Sequence, residues 1–207
     1  MSSILKLILS WILYFIINIL FASTMVKKKF GNLFPRFNRF YRAIYVFFSV
    51  AGLAVIFLFQ SSLPFSLLYE MNTLSTGIGL CLASFGLQII LESFSFYDTA
   101  EFLGFRQAKG ILEEQGFIKD GILKYIRHPL YSGSMLFLIG YLIFAPNMVN
   151  MVSVVLMIIY FIIGSYFEEK KLIKSFGRAY SQYKSEVPAF IPRLGMLFKR
   201  SRKAKNL

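Results

Sequence analysis

Five stretches of the chain are nearly free of charge, and short polar segments part them. Ile4 to Val26 is the first, about 23 residues, which as a helix rise roughly 34 Å, enough to cross a bilayer. Lys27-Lys28-Lys29 ends it, and Arg36, Arg39 and Arg42 follow with no acidic residue between them. The second stretch runs from Ala43 to Leu63 and stops at Pro64. The third runs from Leu74 to Phe96 and carries Gly77, Gly79, Ala83 and Gly86, small residues that let helices approach closely. The fourth reaches from Pro129 to Ala145 and the fifth from Met148 to Phe167, with only the break Ala145-Pro146-Asn147 between them.

This pattern predicts an all-α polytopic membrane protein of about five transmembrane helices, the last two closed into an antiparallel hairpin. One membrane domain covers 1–207. It has three N-terminal spans in 1–97, an amphipathic connection in 98–128, the hairpin and C-terminal core in 129–192, and a basic tail in 193–207. The connection mixes both signs of charge and reads as short helices at the membrane face. The apolar run at the N-terminus is too long for a cleaved signal, and no small-residue cleavage site ends it.

Composition agrees with the pattern. The chain is 57% hydrophobic and 16% charged, with a mean hydropathy of +0.61, less charge than a soluble domain of this size carries. A net charge of +13 would suit nucleic acid in a soluble protein. In a membrane chain it marks cytoplasmic loops that meet anionic lipid headgroups. Lipids are thus the expected partners, and nucleic acid is not. Five spans with every basic cluster on one side put the N-terminus outside and the C-terminus in the cytoplasm. The links after the second and fourth spans, with one charge (Glu70) and none, are expected outside. Cys81 is the single cysteine, which excludes an intrachain disulfide, and with one histidine it argues against a transition-metal centre.

The residues that bear chemistry gather at two helix ends. Pro129 suits the first turn of a helix, so His128 stands at the cap. The N–H groups that follow, with the helix dipole and Arg127, suit an anion such as a carboxylate. A plain interfacial helix start with basic flanks explains the same residues. Glu168 and Glu169 follow the fifth span at a helix end that prefers cations. A carboxylate there suits a ligand with hydroxyl, ammonium or sulfonium groups, although a solvated pair neutralised by Lys170 and Lys171 is the alternative. Adjacent helical residues point about 100° apart, so at most one of the two faces the interior squarely. The hairpin brings the His128 and Glu168 ends together, and an anion site beside an acceptor site suits a zwitterionic sulfonium cofactor. Glu92, one turn beyond Gln88 near the end of the third span, is a further ionisable residue, either functional or wetted at the interface. Gly77-x-Gly79 is too short and too deep in a span for a nucleotide loop.

The order Arg127-His128-Pro129-x-Tyr131-x-Gly133, Glu168-Glu169-x-x-Leu172, Gly177-x-x-Tyr180 and Val187-Pro188 resembles the C-terminal core of the isoprenylcysteine carboxyl methyltransferases. Phe102-Leu-Gly104-Phe-Arg106-Gln107 and Arg42-x-x-Tyr45 extend the likeness toward the branch of methanethiol S-methyltransferases and NnrU-type proteins. The resemblance implies S-adenosylmethionine as methyl donor at a cytoplasmic cofactor site. It places the cofactor contacts on Gln115, Gly116, Phe117, Ile118, Leu123, His128, Pro129, Leu130, Tyr131 and Glu168, with Gln107 as a weaker member. Glu168 is the one candidate for a catalytic role. Leu123 departs from the aromatic residue usual in the family. Gly164 replaces the arginine that carboxyl-methylating members carry one turn before the first glutamate, and Asn18 stands where the methanethiol branch tends to have histidine. The expected acceptor is a small thiol or another apolar, lipid-soluble nucleophile. A non-catalytic accessory protein of the same fold, or a small transporter using Glu92, are the other readings.

Overall fold

A computed structural model describes residues 2–95 and 119–193. Six α-helices occur among them: α1 (Ser3–Ala22), α2 (Thr24–Leu33), α3 (Tyr41–Ser61), α4 (Thr73–Phe94), α5 (Pro129–Phe144) and α6 (Met148–Glu186). Short 3-10 turns lie at Pro35–Phe40 and Gly121–Lys124. The protein is an all-α polytopic membrane protein. α1, the segment Pro35–Ser61 that contains α3, α4 and α6 are long and apolar enough to cross a membrane. Of the five expected spans α5 is the short one. Its 16 residues rise roughly 24 Å, less than the hydrocarbon core of about 30 Å.

The described residues form two compact units, 2–71 with 145–157, and 72–95 with 119–144 and 158–193. In the first unit α1 ends earlier than its apolar run, which continues to Val26. Ser23 is extended (φ −74°, ψ 143°), its N–H donates to Leu20 O, and its hydroxyl accepts from Val26 N, so it closes α1 and opens α2. Lys27, Lys28 and Lys29 therefore lie on α2 rather than at the end of α1.

Leu7, Trp11, Ile56 and Val149 form the core of this unit. Trp11 is fully buried there. Its indole N–H donates to Ser153 Oγ at 2.8 Å, Ser153 Oγ–H donates to Gln60 Oε1 at 2.7 Å, and the Gln60 amide donates to Asn150 Oδ1 at 2.7 Å. In an apolar medium each such group needs a partner, and this chain of bonds ties α1, α3 and the start of α6 together. The two weakly charged links also meet: Leu68 N donates to Pro146 O, and Met148 N to Ser66 O.

The second unit is built on α4 and α5. The small residues expected to permit close packing do so at Gly79, Ala83 and Gly86, where α5 supplies Gly133 and Gly140. A Cβ on Gly79 would stand 2.7 Å from Phe144 N and 2.9 Å from Gly140 O, so only glycine allows this spacing. Gly77, on another face, meets nothing within 4 Å. An Asn72–Ser75 capping box starts α4.

Candidate functional site

The site is assembled at the start of α5. Gly121 takes a left-handed φ of 58°, which a side chain would resist, and opens the turn that carries Leu123. Leu123 is buried, and its carbonyl accepts from the Tyr183 hydroxyl at 2.6 Å. Two backbone bonds then hold the chain before α5: Arg127 N donates to Pro188 O at 2.9 Å and His128 N to Ala189 O at 3.0 Å. Ser132 Oγ reaches Phe190 O at 2.8 Å. Residues 183–190 thus strap the start of α5 in place.

Gly177 makes this return possible. Its φ of 54° and ψ of −125° break α6, and a further helical stretch follows to Glu186. Tyr180 and Tyr183 from that stretch, with Val187 just after it, pack on Leu172 and Phe176. Their spacing is that of one helical face, and Lys184, one turn beyond Tyr180, shares it.

Glu169 is the electrostatic centre. Arg127 Nε and Nη2 donate to its Oε1 at 2.8 and 2.6 Å. His128 Nε2 lies 3.1 Å from the same oxygen, and Lys184 Nζ lies 2.7 Å from Oε2. Arg127 Nη1 also donates to the carbonyls of Lys184 and Val187. Burial by itself would raise the Glu169 carboxyl. Hydrogen bonds from Lys184, Arg127 and His128, with the Arg127 charge, outweigh it and hold the carboxyl below its ordinary range. Burial, with Glu169 next, pushes the Tyr180 hydroxyl well above its ordinary value.

Glu168 points elsewhere. Its side chain keeps 42% of its surface, and Oε2 lies 3.8 Å from His128 Nδ1, too far for a hydrogen bond. His128 is therefore flanked by both glutamates, one on each ring nitrogen. Its ring also stacks on Tyr131 at 5.6 Å and leans on Phe190 at 5.8 Å, while Tyr131 stacks on Phe161 at 5.5 Å. Tyr131 on α5 thus meets Phe161 on α6.

The structure brings together His128, Pro129, Tyr131 and Glu168; Leu123 is buried, with its carbonyl on the Tyr183 hydroxyl. Leu130 is half-buried on the first turn of α5. Gln107, Gln115, Gly116, Phe117 and Ile118 lie outside the described residues. The positive charge of Arg127, expected to help hold an anion, is paired with Glu169. Lys184 and the central place of Glu169 were missed. The helical spacing of Tyr180, Tyr183, Lys184 and Val187 was the available signal for Lys184. Glu92 and Gln88 are exposed on α4.

Residues 74–179 match the model of a family described as phospholipid methyltransferase. The chain belongs to that family. Relatives agree with the placement. A methanethiol S-methyltransferase of a Pseudomonas species (strain GM41) is 29% identical over 180 residues, covering 83% of this chain and 68% of the relative. One from Crocosphaera subtropica is 27% identical over 180 residues, covering 84% and 70%. No solved structure matches the chain. The family and the apolar helices together identify a membrane methyltransferase.

Proposed function

We infer that the chain transfers a methyl group from S-adenosylmethionine to a small thiol or another apolar, lipid-soluble nucleophile, at a site on the cytoplasmic side of the membrane. One observation carries the donor assignment. His128 Nδ1 and the half-exposed Glu168 carboxylate lie 3.8 Å apart beside the first turn of α5. An acceptor pair next to a helix N-terminus suits a ligand that has donor groups and a carboxylate of its own. The residues described here fit such a ligand, with Pro129 and Tyr131 as walls and Glu168 open enough to reach it.

The methyl donor, when bound, supplies an electrophilic carbon on a positively charged sulfur. This chain's residues hold and orient the reactants and keep water out, which is the main source of acceleration open to such a site. A thiol ionises readily enough to need no strong protein base. The relatives named for methanethiol support that acceptor class. Gly164 supports it from the other side. It lies one turn before Glu168, where a Cβ would stand 3.7 Å from the Tyr131 hydroxyl, and it offers no cation to a prenylcysteine carboxylate. The orientation follows from the basic run Lys27–Lys29 with Arg36, Arg39 and Arg42.

The test is incubation of purified protein with S-adenosylmethionine labelled in its methyl group and a panel of small thiols, prenylcysteines and amino-lipids. Label is expected on a small thiol and not in a prenylcysteine ester. Strong ester formation would overturn the acceptor class. Donor binding with no turnover on any acceptor would favour the accessory reading.

A further inference from the structure

We propose that Glu169 is a positioning residue that fixes the tautomer of His128, placing the imidazole proton on Nε2 and leaving Nδ1 as a hydrogen-bond acceptor turned toward Glu168. The inference rests on the reading of His128 and Glu168 as donor-binding groups and adds a third residue that touches no ligand.

The argument starts from the partners of the Glu169 carboxylate. It accepts from two Arg127 nitrogens at 2.8 and 2.6 Å and from Lys184 Nζ at 2.7 Å. A group so surrounded by cationic donors is an ionised carboxylate, which can only accept. Oε1 lies 3.1 Å from His128 Nε2. A lone pair on that nitrogen would face the carboxylate and repel it, so Nε2 carries hydrogen and donates. In the neutral ring Nδ1 then keeps its lone pair.

The ring is closely packed in this orientation. It is 3% exposed, held between Tyr131 and Phe190, and His128 N is bonded to Ala189 O. The charged groups around it are Arg127 and Lys184, both turned to Glu169, and Glu168 across Nδ1. Nδ1 and Glu168 Oε2 are two acceptors 3.8 Å apart. They repel one another until a group with two donors, such as a diol or an ammonium, sits between them. Without Glu169 nothing described around the ring favours Nε2–H. The proton is then drawn to Nδ1 on the Glu168 side, and the pair becomes one donor and one acceptor, which no longer suits a group with two donors.

His128 is the single histidine of the chain, so labelling histidine with nitrogen-15 reports on this ring alone. The experiment reads the two ring nitrogens of the full-length protein in detergent micelles at the neutral end of a pH titration, and S-adenosylhomocysteine affinity by calorimetry. The wild type is expected to show a protonated Nε2 and an unprotonated Nδ1. Glu169→Gln is expected to mix or reverse the tautomers and to weaken S-adenosylhomocysteine binding about tenfold, a loss equal to one ordinary polar contact. Glu168→Gln is expected to weaken binding while keeping Nε2–H. A wild-type ring protonated on Nδ1, or a Glu169→Gln protein with the wild-type nitrogen pattern, would overturn the proposal. The wild-type spectrum decides it even where a variant does not fold. Failure of the wild type to bind S-adenosylhomocysteine would instead strike the donor reading, because the tautomer is measured without ligand.

Discussion

Gly86 on α4 and Gly133 on α5 stand back to back: a Cβ on Gly86 would come within 2.7 Å of Gly133 O, and one on Gly133 within 2.8 Å of Gly86 O. The helix that starts directly after His128 is therefore set against α4 at backbone distance. Gly86→Ala and Gly133→Ala are each expected to lower stability by about 1–3 kcal/mol, since overpacking here presses on backbone. Gly77→Ala, which meets nothing within 4 Å, is the control and is expected to be neutral. Thermal unfolding in detergent measures all three.

Glu169 predicts an acid limit to stability. Its carboxyl is held below the ordinary value of 4.5 by the bonds from Lys184, Arg127 and His128, against burial. A carboxyl lowered in the folded state stabilises fully above the unfolded pKa, and that contribution is lost as pH falls through the folded pKa. The unfolding midpoint should therefore decline below about pH 4.5, and Glu169→Gln should flatten that decline. At neutral pH the same substitution should cost about 3 kcal/mol, the lower end for a broken buried pair, because Lys184 is 41% exposed and can turn to water. An unchanged acid limit in the variant would remove Glu169 from this role.

Glu168→Gln tests the ligand contact. It removes charge from a side chain that keeps 42% of its surface, so the fold should be intact. A charge-assisted contact contributes roughly 1.5–3 kcal/mol, which predicts donor-analogue binding about 10- to 150-fold weaker. His128→Ala should also weaken it, with α5 still started by Pro129. Calorimetry with S-adenosylhomocysteine on folded variants measures both. Wild-type affinity in the two variants would mean that the cluster only anchors a helix end.

Orientation is tested by cysteine labelling in a Cys81→Ser background. Single cysteines beside Lys28, beside Lys109 and in the tail after Arg193 are expected to react from the cytoplasmic side only. Lys109 and the tail after Arg193 lie outside the described residues. Reaction of any of them from outside would reverse the proposed orientation.

Much of this architecture is legible in the sequence, because hydropathy and small-residue spacing are local signals. Gly79, Ala83 and Gly86 mark the α4 face that α5 meets, and Ala145-Pro146-Asn147 marks the turn into α6. The convergence of His128 with the two glutamates follows from that turn. Which glutamate faces inward does not. A 100° separation fixes the angle between Glu168 and Glu169 but not the rotation of α6, and that rotation is set by Tyr131 against Phe161 and by the strap after Gly177. The end of α1 was hidden for a related reason. Ser23 lies in a run that hydropathy reads as continuous, and it stops the helix with a hydroxyl bonded to Leu20 O at 2.7 Å.

The strap has a consequence for the order in which the protein is made. Arg127 N and His128 N are bonded to Pro188 O and Ala189 O, about sixty residues downstream. A nascent chain can have every apolar helix threaded into the bilayer and still lack those carbonyls. Until residues 183–190 leave the ribosome, the start of α5 has no edge to pair with and Arg127 lacks the carbonyls that cross its guanidinium. Membrane insertion and completion of the site are therefore separate events.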